Sequence, residues 1–289
     1  MGPAPSSSLK TAVVTGASSG IGLVVARELA RRGFRVIGLG RSPGRSKAAL
    51  AEIRRAAPTA QVDFVRADLA VMSEVRRAAT EITALTDRVD VLINNAGAVI
   101  KERRVTPDGY EATFAGNHLG PFLLTQCLMP LLRAAVAATG EARVVNTASG
   151  AHQMVRDMAW DDLQLEKNYG SWTAYAQSKL ANILFTRELA RRERENGIRV
   201  NAVHPGVVDT NFPSGGGLLT TIGWLVARPF AKTPEQGADS ILWLATEAPA
   251  DLTGGYLEQR QPARITKAAQ SAEGARRLWE LSERMTSVR

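Results

Sequence analysis

The chain has 289 residues, 45% hydrophobic and 22% charged, which is enough to bury a large core in an α/β protein. Its one cysteine, Cys127, excludes an internal disulfide framework, and no Cys/His cluster has the spacing of a metal site. The net charge of +8 raises the question of nucleic acid, but the arginines are interleaved with acids, as at Arg187-Glu188 and from Arg191 to Glu195. That pattern reads as solvated helix faces and no nucleic-acid partner.

In chain order, residues 1–8 read as a flexible tail with no apolar anchor. Residues 9–15 form a buried strand, 21–32 a helix ended by Gly33, and 34–39 the next strand. A helix over 46–57 stops at Pro58, followed by a strand at 62–66, a helix at 71–85 and a strand at 89–93. A long helical region covers about 107–138. Within it the uncharged run 112–132 is long enough for a bilayer, but Asn117, His118, Gly120, Pro121, Gln126 and Pro130 make it a buried or interface helix and not a stable membrane insertion. A strand at 142–147, a helix at 171–196 and a strand at 199–204 complete the alternation. The expected fold is α/β: a Rossmann-type doubly wound parallel sheet with helices on both faces, in a single domain over 9–289.

Between the first strand and first helix lies Thr15-Gly16-Ala17-Ser18-Ser19-Gly20-Ile21-Gly22. Glycines there let the backbone approach a pyrophosphate, whose charge the helix N-terminus favours. An NAD site offers a carboxylate at the end of the second strand; here Gly40 and Arg41 stand there, and no acid occurs between Glu28 and Glu52. Arg41, with Arg35, Arg45 and Lys47 nearby, suits a 2′-phosphate, so the expected cofactor is NADP(H).

The uninterrupted helix from Ser171 places Tyr175 and Lys179 four residues apart on one face. An adjacent ammonium is expected to draw the phenol's pKa down from about 10. Cys127 reads as a small core residue, and His118, His152 and His204 as buried hydrogen-bonded rings, His152 being also a candidate for the pocket lining.

Over residues 9–256 these pieces together resemble the short-chain dehydrogenase/reductase superfamily. The resemblance rests on the glycine motif, Asp68-Leu69, Asn94-Asn95-Ala96-Gly97, Asn117, Ser149 in RVVNTASGAH, Tyr175-x-x-x-Lys179 and Pro205-Gly206 in HPGVVDT. Trp160 to Gln164, SKLANILFTRELA and RRLWELSE are similar to the branch holding retinol dehydrogenases and their bacterial relatives. The resemblance implies Tyr175 as general acid/base, Lys179 as its activator and ribose ligand, Ser149 as donor to the substrate oxygen and Asn117 as part of a proton relay. It implies cofactor contacts from Gly16, Ser18, Ser19, Gly20, Ile21, Gly22, Asp68, Leu69, Asn95, Ala96, Gly97, Pro205, Gly206, Val208 and Thr210. It further implies a cytoplasmic homodimer or homotetramer acting on a hydrophobic carbonyl or alcohol.

The loop 206–233 is where specificity is expected. Its apolar residues suit either a lid over the substrate or a surface helix packed on the core. If the cofactor reading holds, the Michaelis constant for NADPH lies well below that for NADH, and Arg41→Ala erases the difference; a preference for NADH unchanged by Arg41→Ala would overturn it.

Overall fold

The computed structural model describes residues 9–206 and 232–287. Eight strands form one sheet in the order β3-β2-β1-β4-β5-β6-β7-β8. They are β1 (Thr11–Thr15), β2 (Arg35–Gly40), β3 (Val62–Arg66), β4 (Val91–Asn94), β5 (Ala142–Thr147), β6 (Ile198–His204), β7 (Tyr256–Glu258) and β8 (Gln261–Pro262). The first seven pair in parallel and β8 returns antiparallel along β7. Every residue of β1 and β5 is buried, as strands covered on both faces must be.

The helices divide between those faces. On one side α1 (Gly20–Arg31), α2 (Pro43–Ala56) and α6 (Pro234–Thr246) contribute Val25, Leu29, Ile53 and Ile241 to one core. On the other, α3 (Met72–Leu85), α4 (Ala112–Thr139), α5 (Ser171–Arg192) and the C-terminal α8 (Ala272–Thr286) contribute Val75, Phe122, Leu184 and Trp279 to a second. A short α7 (Lys267–Gln270) joins this face. The length and composition of α4 would allow it to cross a bilayer; in this fold Phe122, Leu123, Leu124 and Leu128 are packed inside the second core.

Several expected boundaries move, for local reasons. The helical region expected from 107 begins at Ala112, because the Glu111 carboxylate caps it, accepting from the amides of Thr113 and Phe114 at 2.8 and 2.7 Å. The residues before it turn back in a bridge between Val105 and Glu111. Helix α2 starts at Pro43, three residues early, since the Ser42 hydroxyl caps it and proline occupies its first turn. The strand expected at 89–93 is shifted to Val91–Asn94, and α5 ends at Arg192, four residues early. Strands β7 and β8 are too short to leave a period-two signature, and form because an edge is open beside β6.

At the middle of the second core the Phe122 ring meets Trp279 edge-on at 5.0 Å and Phe185 at 5.4 Å. Truncation there leaves a cavity that rigid helices cannot close. Phe122→Ala is therefore expected to cost about 3–5 kcal/mol in urea unfolding, and a loss below about 1 kcal/mol would contradict this packing.

Candidate functional site

The strand order reverses between β1 and β4, and an open α/β sheet has a crevice at such a point. The glycine turn follows β1 there, with Gly16 at φ +70° and Gly20 at φ +54°, conformations that side chains resist. At Gly22 a Cβ would lie 2.3 Å from the Gly16 carbonyl oxygen and 2.6 Å from Asn95 Nδ2, so only glycine permits this closeness. The turn is stitched to the segment after β4. Thr15 Oγ1 accepts from the amides of Asn95 and Ala96 at 2.9 and 3.0 Å, and Asn95 Nδ2 donates to the Thr15 carbonyl at 3.1 Å.

Ser19 stands at the N-cap of α1 without a side-chain bond to the helix, while Ile21 packs on the first core. A backbone cradle that any Cβ would fill, opening onto a twelve-residue helix N-terminus, fits a dinucleotide pyrophosphate. The Ser18 hydroxyl lies 3.1 Å and that of Ser46 2.8 Å from where a Gly40 Cβ would be. Beside them Arg41 is exposed, with Nη1 3.7 Å from Asp68 Oδ2. Asp68 is itself held: its Oδ1 accepts from the Ala70 amide and its own amide donates to Glu74. Leu69 is buried, its carbonyl pressed against Gly120.

The second group of residues gathers at the carboxyl ends of β4 and β5. Helix α5 lays Lys179, 2% exposed, across the end of β5, where Nζ donates to the Thr147 carbonyl at 2.9 Å. Burial pulls its ammonium down to about 8 from the ordinary 10.5. A Cβ on Gly97 would sit 3.2 Å from that Nζ and 3.5 Å from Asn117 Oδ1, so a glycine after β4 lets lysine and asparagine approach.

Asn117 lies in a π-helical turn, Ala115–Leu119, inside α4. Its Oδ1 accepts from the Ala98 amide at 2.9 Å, and its Nδ2 donates to the Ala98 carbonyl at 2.9 Å and to Ser178 Oγ at 3.0 Å. Tyr175 faces the Ser149 side chain, which favours its phenolate, and lies under Lys179, whose Nζ is 5.4 Å from the ring centroid.

One expectation is corrected here. Burial raises the Tyr175 phenol to about 12; the Ser149 side chain opposes this, and the lysine does not reverse it. The ammonium sits over the ring face, and for the phenol the loss of water is the larger effect.

Sequence reasoning missed the polar web behind these groups. Asn94 Nδ2 donates to Thr125 Oγ1 at 3.0 Å and to Asn146 Oδ1 at 2.8 Å, and Asn146 Nδ2 donates to Thr186 Oγ1 at 2.9 Å. It ties β4 and β5 to α4 and α5; the available signal was an asparagine closing the apolar run of each strand, Asn94 after Val91-Leu92-Ile93 and Asn146 after Val144-Val145. Gln164, which in sequence carries only a resemblance, accepts through Oε1 from the Glu111 amide at 2.6 Å, at the cap of α4.

Of the histidines, His118 is buried among Phe114, Phe122 and Phe185 and bonds Ser282 at 2.9 Å; burial pushes it down to about 3. His204 is not fully enclosed, its Nε2 standing 4.0 Å from Glu258. Pro205 and Gly206 end the described part of this wall, Gly206 at φ +88° with the Lys232 side chain against it. Val208, Thr210 and all of the expected specificity loop 206–233 except Gly206, Lys232 and Thr233 lie outside the described residues.

Residues 10–215 match the family described as short chain dehydrogenase. Retinol dehydrogenase 12 of Mus musculus is 40% identical over 274 residues, which is 94% of this chain and 85% of that protein. The crystal structure of an uncharacterized protein from Mycobacterium paratuberculosis is similar at a TM-score of 0.75 and 36% identity, over 96% of this chain and 93% of that one. An NADP active-site complex of Pseudomonas aeruginosa RhlG is similar at a TM-score of 0.68 and 25% identity, over 92% of this chain and 96% of that one.

The lowered pKa of Lys179 has a consequence for stability. Below about 8 the amine is charged in folded and unfolded chain alike and its burial opposes folding; the opposition fades as pH rises from about 8 to 10.5, where the unfolded chain binds more protons. Lys179→Met is expected to stabilise the fold at neutral pH by about 2–3 kcal/mol, less at alkaline pH. Thermal unfolding at the two pH values checks this, and a lower midpoint in the variant would contradict it.

Proposed function

The chain belongs to the short-chain dehydrogenase family, and from that premise we propose that it is an NADP(H)-dependent oxidoreductase interconverting a hydrophobic carbonyl compound and its alcohol, with Tyr175 as the proton donor and acceptor. The observation that carries the reading is the convergence of Ser149, Tyr175 and Lys179 beside a glycine cradle at the reversal of strand order.

The nicotinamide cofactor, when bound, supplies or takes the hydride. Everything else falls to the chain. Gly16 to Gly22 would hold the pyrophosphate, Asn95 to Gly97 would border it, and Lys179 would reach the neighbouring ribose. The Ser149 hydroxyl donates to the substrate oxygen as negative charge develops there. Tyr175 gives that oxygen its proton. With the phenol pushed up to about 12, it stays protonated at neutral pH, the state needed for reduction. In the reverse direction the phenolate must form in a dry site, and the Lys179 ammonium against the ring is the group that stabilises it. Asn117, tied to Ala98 and to Ser178, stands where a relay from Lys179 towards solvent would pass.

For NADP(H) the support is chemical. Arg41 and the Ser18 and Ser46 hydroxyls around Gly40 suit a phosphate, and Asp68 is shared with Arg41 and the Ala70 amide. The similar RhlG structure is an NADP complex. A hydrophobic substrate agrees with the name of the retinol dehydrogenase relative.

The test is NADPH oxidation across aliphatic, polyene, steroid and aromatic aldehydes and ketones, with Tyr175→Phe as control. Turnover of at least one hydrophobic carbonyl is expected, reduced about 10²–10⁴-fold by the substitution while NADPH binding persists. Tight NADPH binding with no turnover would favour a cofactor-sensing protein, and equal turnover by the variant would remove Tyr175 from its role.

A further inference from the structure

After Ser149 the chain enters a 3-10 turn, Gly150–Met154, that folds His152 back over the residue preceding it. His152 is fully buried, its ring edge-on to that of Tyr256 at 5.2 Å and 76°. Its Nδ1 lies 2.7 Å from the carbonyl oxygen of Ser149. A carbonyl oxygen only accepts, so the proton of this hydrogen bond belongs to Nδ1. In the neutral ring Nε2 then carries a bare lone pair, and burial favours the neutral ring.

That Nε2 is enclosed and has no hydrogen-bond partner among the described residues. A phenylalanine would fill similar space beside Tyr256, so what distinguishes the imidazole here is its Nδ1 donor.

What the imidazole supplies is a second grip on Ser149. The Ser149 carbonyl accepts from the His152 backbone amide at 3.2 Å as well as from the ring, and the Ser149 hydroxyl accepts from the Ala151 amide at 3.2 Å. Ser149 is otherwise an extended residue at φ −162° and ψ 152°, at the open end of β5, where the strand ladder has stopped. Its hydroxyl must serve Tyr175 and the substrate oxygen together, and a small rotation of its peptide would swing that hydroxyl away.

Resting on the roles given above to Ser149 and Tyr175, we infer that His152 is a positioning residue for the carbonyl reaction: its Nδ1–H holds the Ser149 carbonyl and thereby aims the Ser149 hydroxyl. His152 touches neither hydride nor substrate oxygen in this scheme. It acts through Ser149.

Three substitutions separate the ring's two nitrogens from its bulk. Asparagine can present its side-chain N–H where Nδ1 stands, glutamine reaches towards the place of Nε2, and phenylalanine keeps only the volume. With a carbonyl substrate, His152→Phe and His152→Gln are expected to lower kcat about 10–100-fold with NADPH affinity within about twofold of the parent, and His152→Asn to recover to within about fivefold. Thermal midpoints of all three confirm that folded proteins are compared. In the ¹⁵N-histidine-labelled parent, NMR is expected to show a proton on Nδ1 of His152, assigned by its disappearance in His152→Asn.

Parent-like kcat in His152→Phe would overturn the inference, as would His152→Asn as slow as His152→Phe with both folded, or a proton on Nε2 in the parent. Failure of the enzymatic reading looks different: the parent itself turns over no carbonyl, which removes the role of Ser149 and this inference with it.

Discussion

A lysine is carried into the interior at the end of β5, and much of the molecule is arranged to receive it. The Lys179 ammonium is buried and donates to the Thr147 carbonyl, which also accepts from Asn182 Nδ2 at 3.2 Å. A buried cation without such a partner would lose its proton or unfold its surroundings. The absence of a side chain at Gly97 makes room for the ammonium, since a Cβ there would crowd Nζ at 3.2 Å. Tyr175, one turn before Lys179, is thereby set against the strand end that carries Ser149.

The electrostatics of that arrangement run opposite to simple pairing. A phenol and an ammonium in water would share charge readily, but here both are dry, and each is driven towards its neutral form: the tyrosine up to about 12, the lysine down to about 8. At neutral pH the phenol keeps its proton and the ammonium keeps its charge, a state that suits the proton-giving role proposed for Tyr175.

Rigidity around the pair comes from neutral polar groups. Asn94, Asn146, Thr125 and Thr186 connect two strands to two helices through hydrogen bonds between 2.8 and 3.0 Å, all buried. Asn117 is fixed by Ala98 and Ser178 inside a π-helical turn, where the extra residue of the wider turn changes the face on which the asparagine emerges. In the same turn the next residue, His118, reaches Ser282 on the C-terminal helix. The last helix of the chain thus braces the segment that presents Asn117.

The sequence by itself determined the alternation of strand and helix, because strands buried on both faces demand continuous apolar runs and helices need an apolar stripe. It also determined the glycine turn, since Gly16 and Gly20 hold positive φ and Gly22 tolerates no Cβ, and the helical spacing of Tyr175 and Lys179. Tertiary structure alone decided the rest. The start of α4 depends on a Glu111 carboxylate folding onto its own helix; β7 depends on an edge left open by β6; and Asn117 depends on a π turn that periodicity does not encode. The protonation of Tyr175 was likewise decided in three dimensions, because charge spacing is written along a helix but desolvation is the sum of everything packed around it.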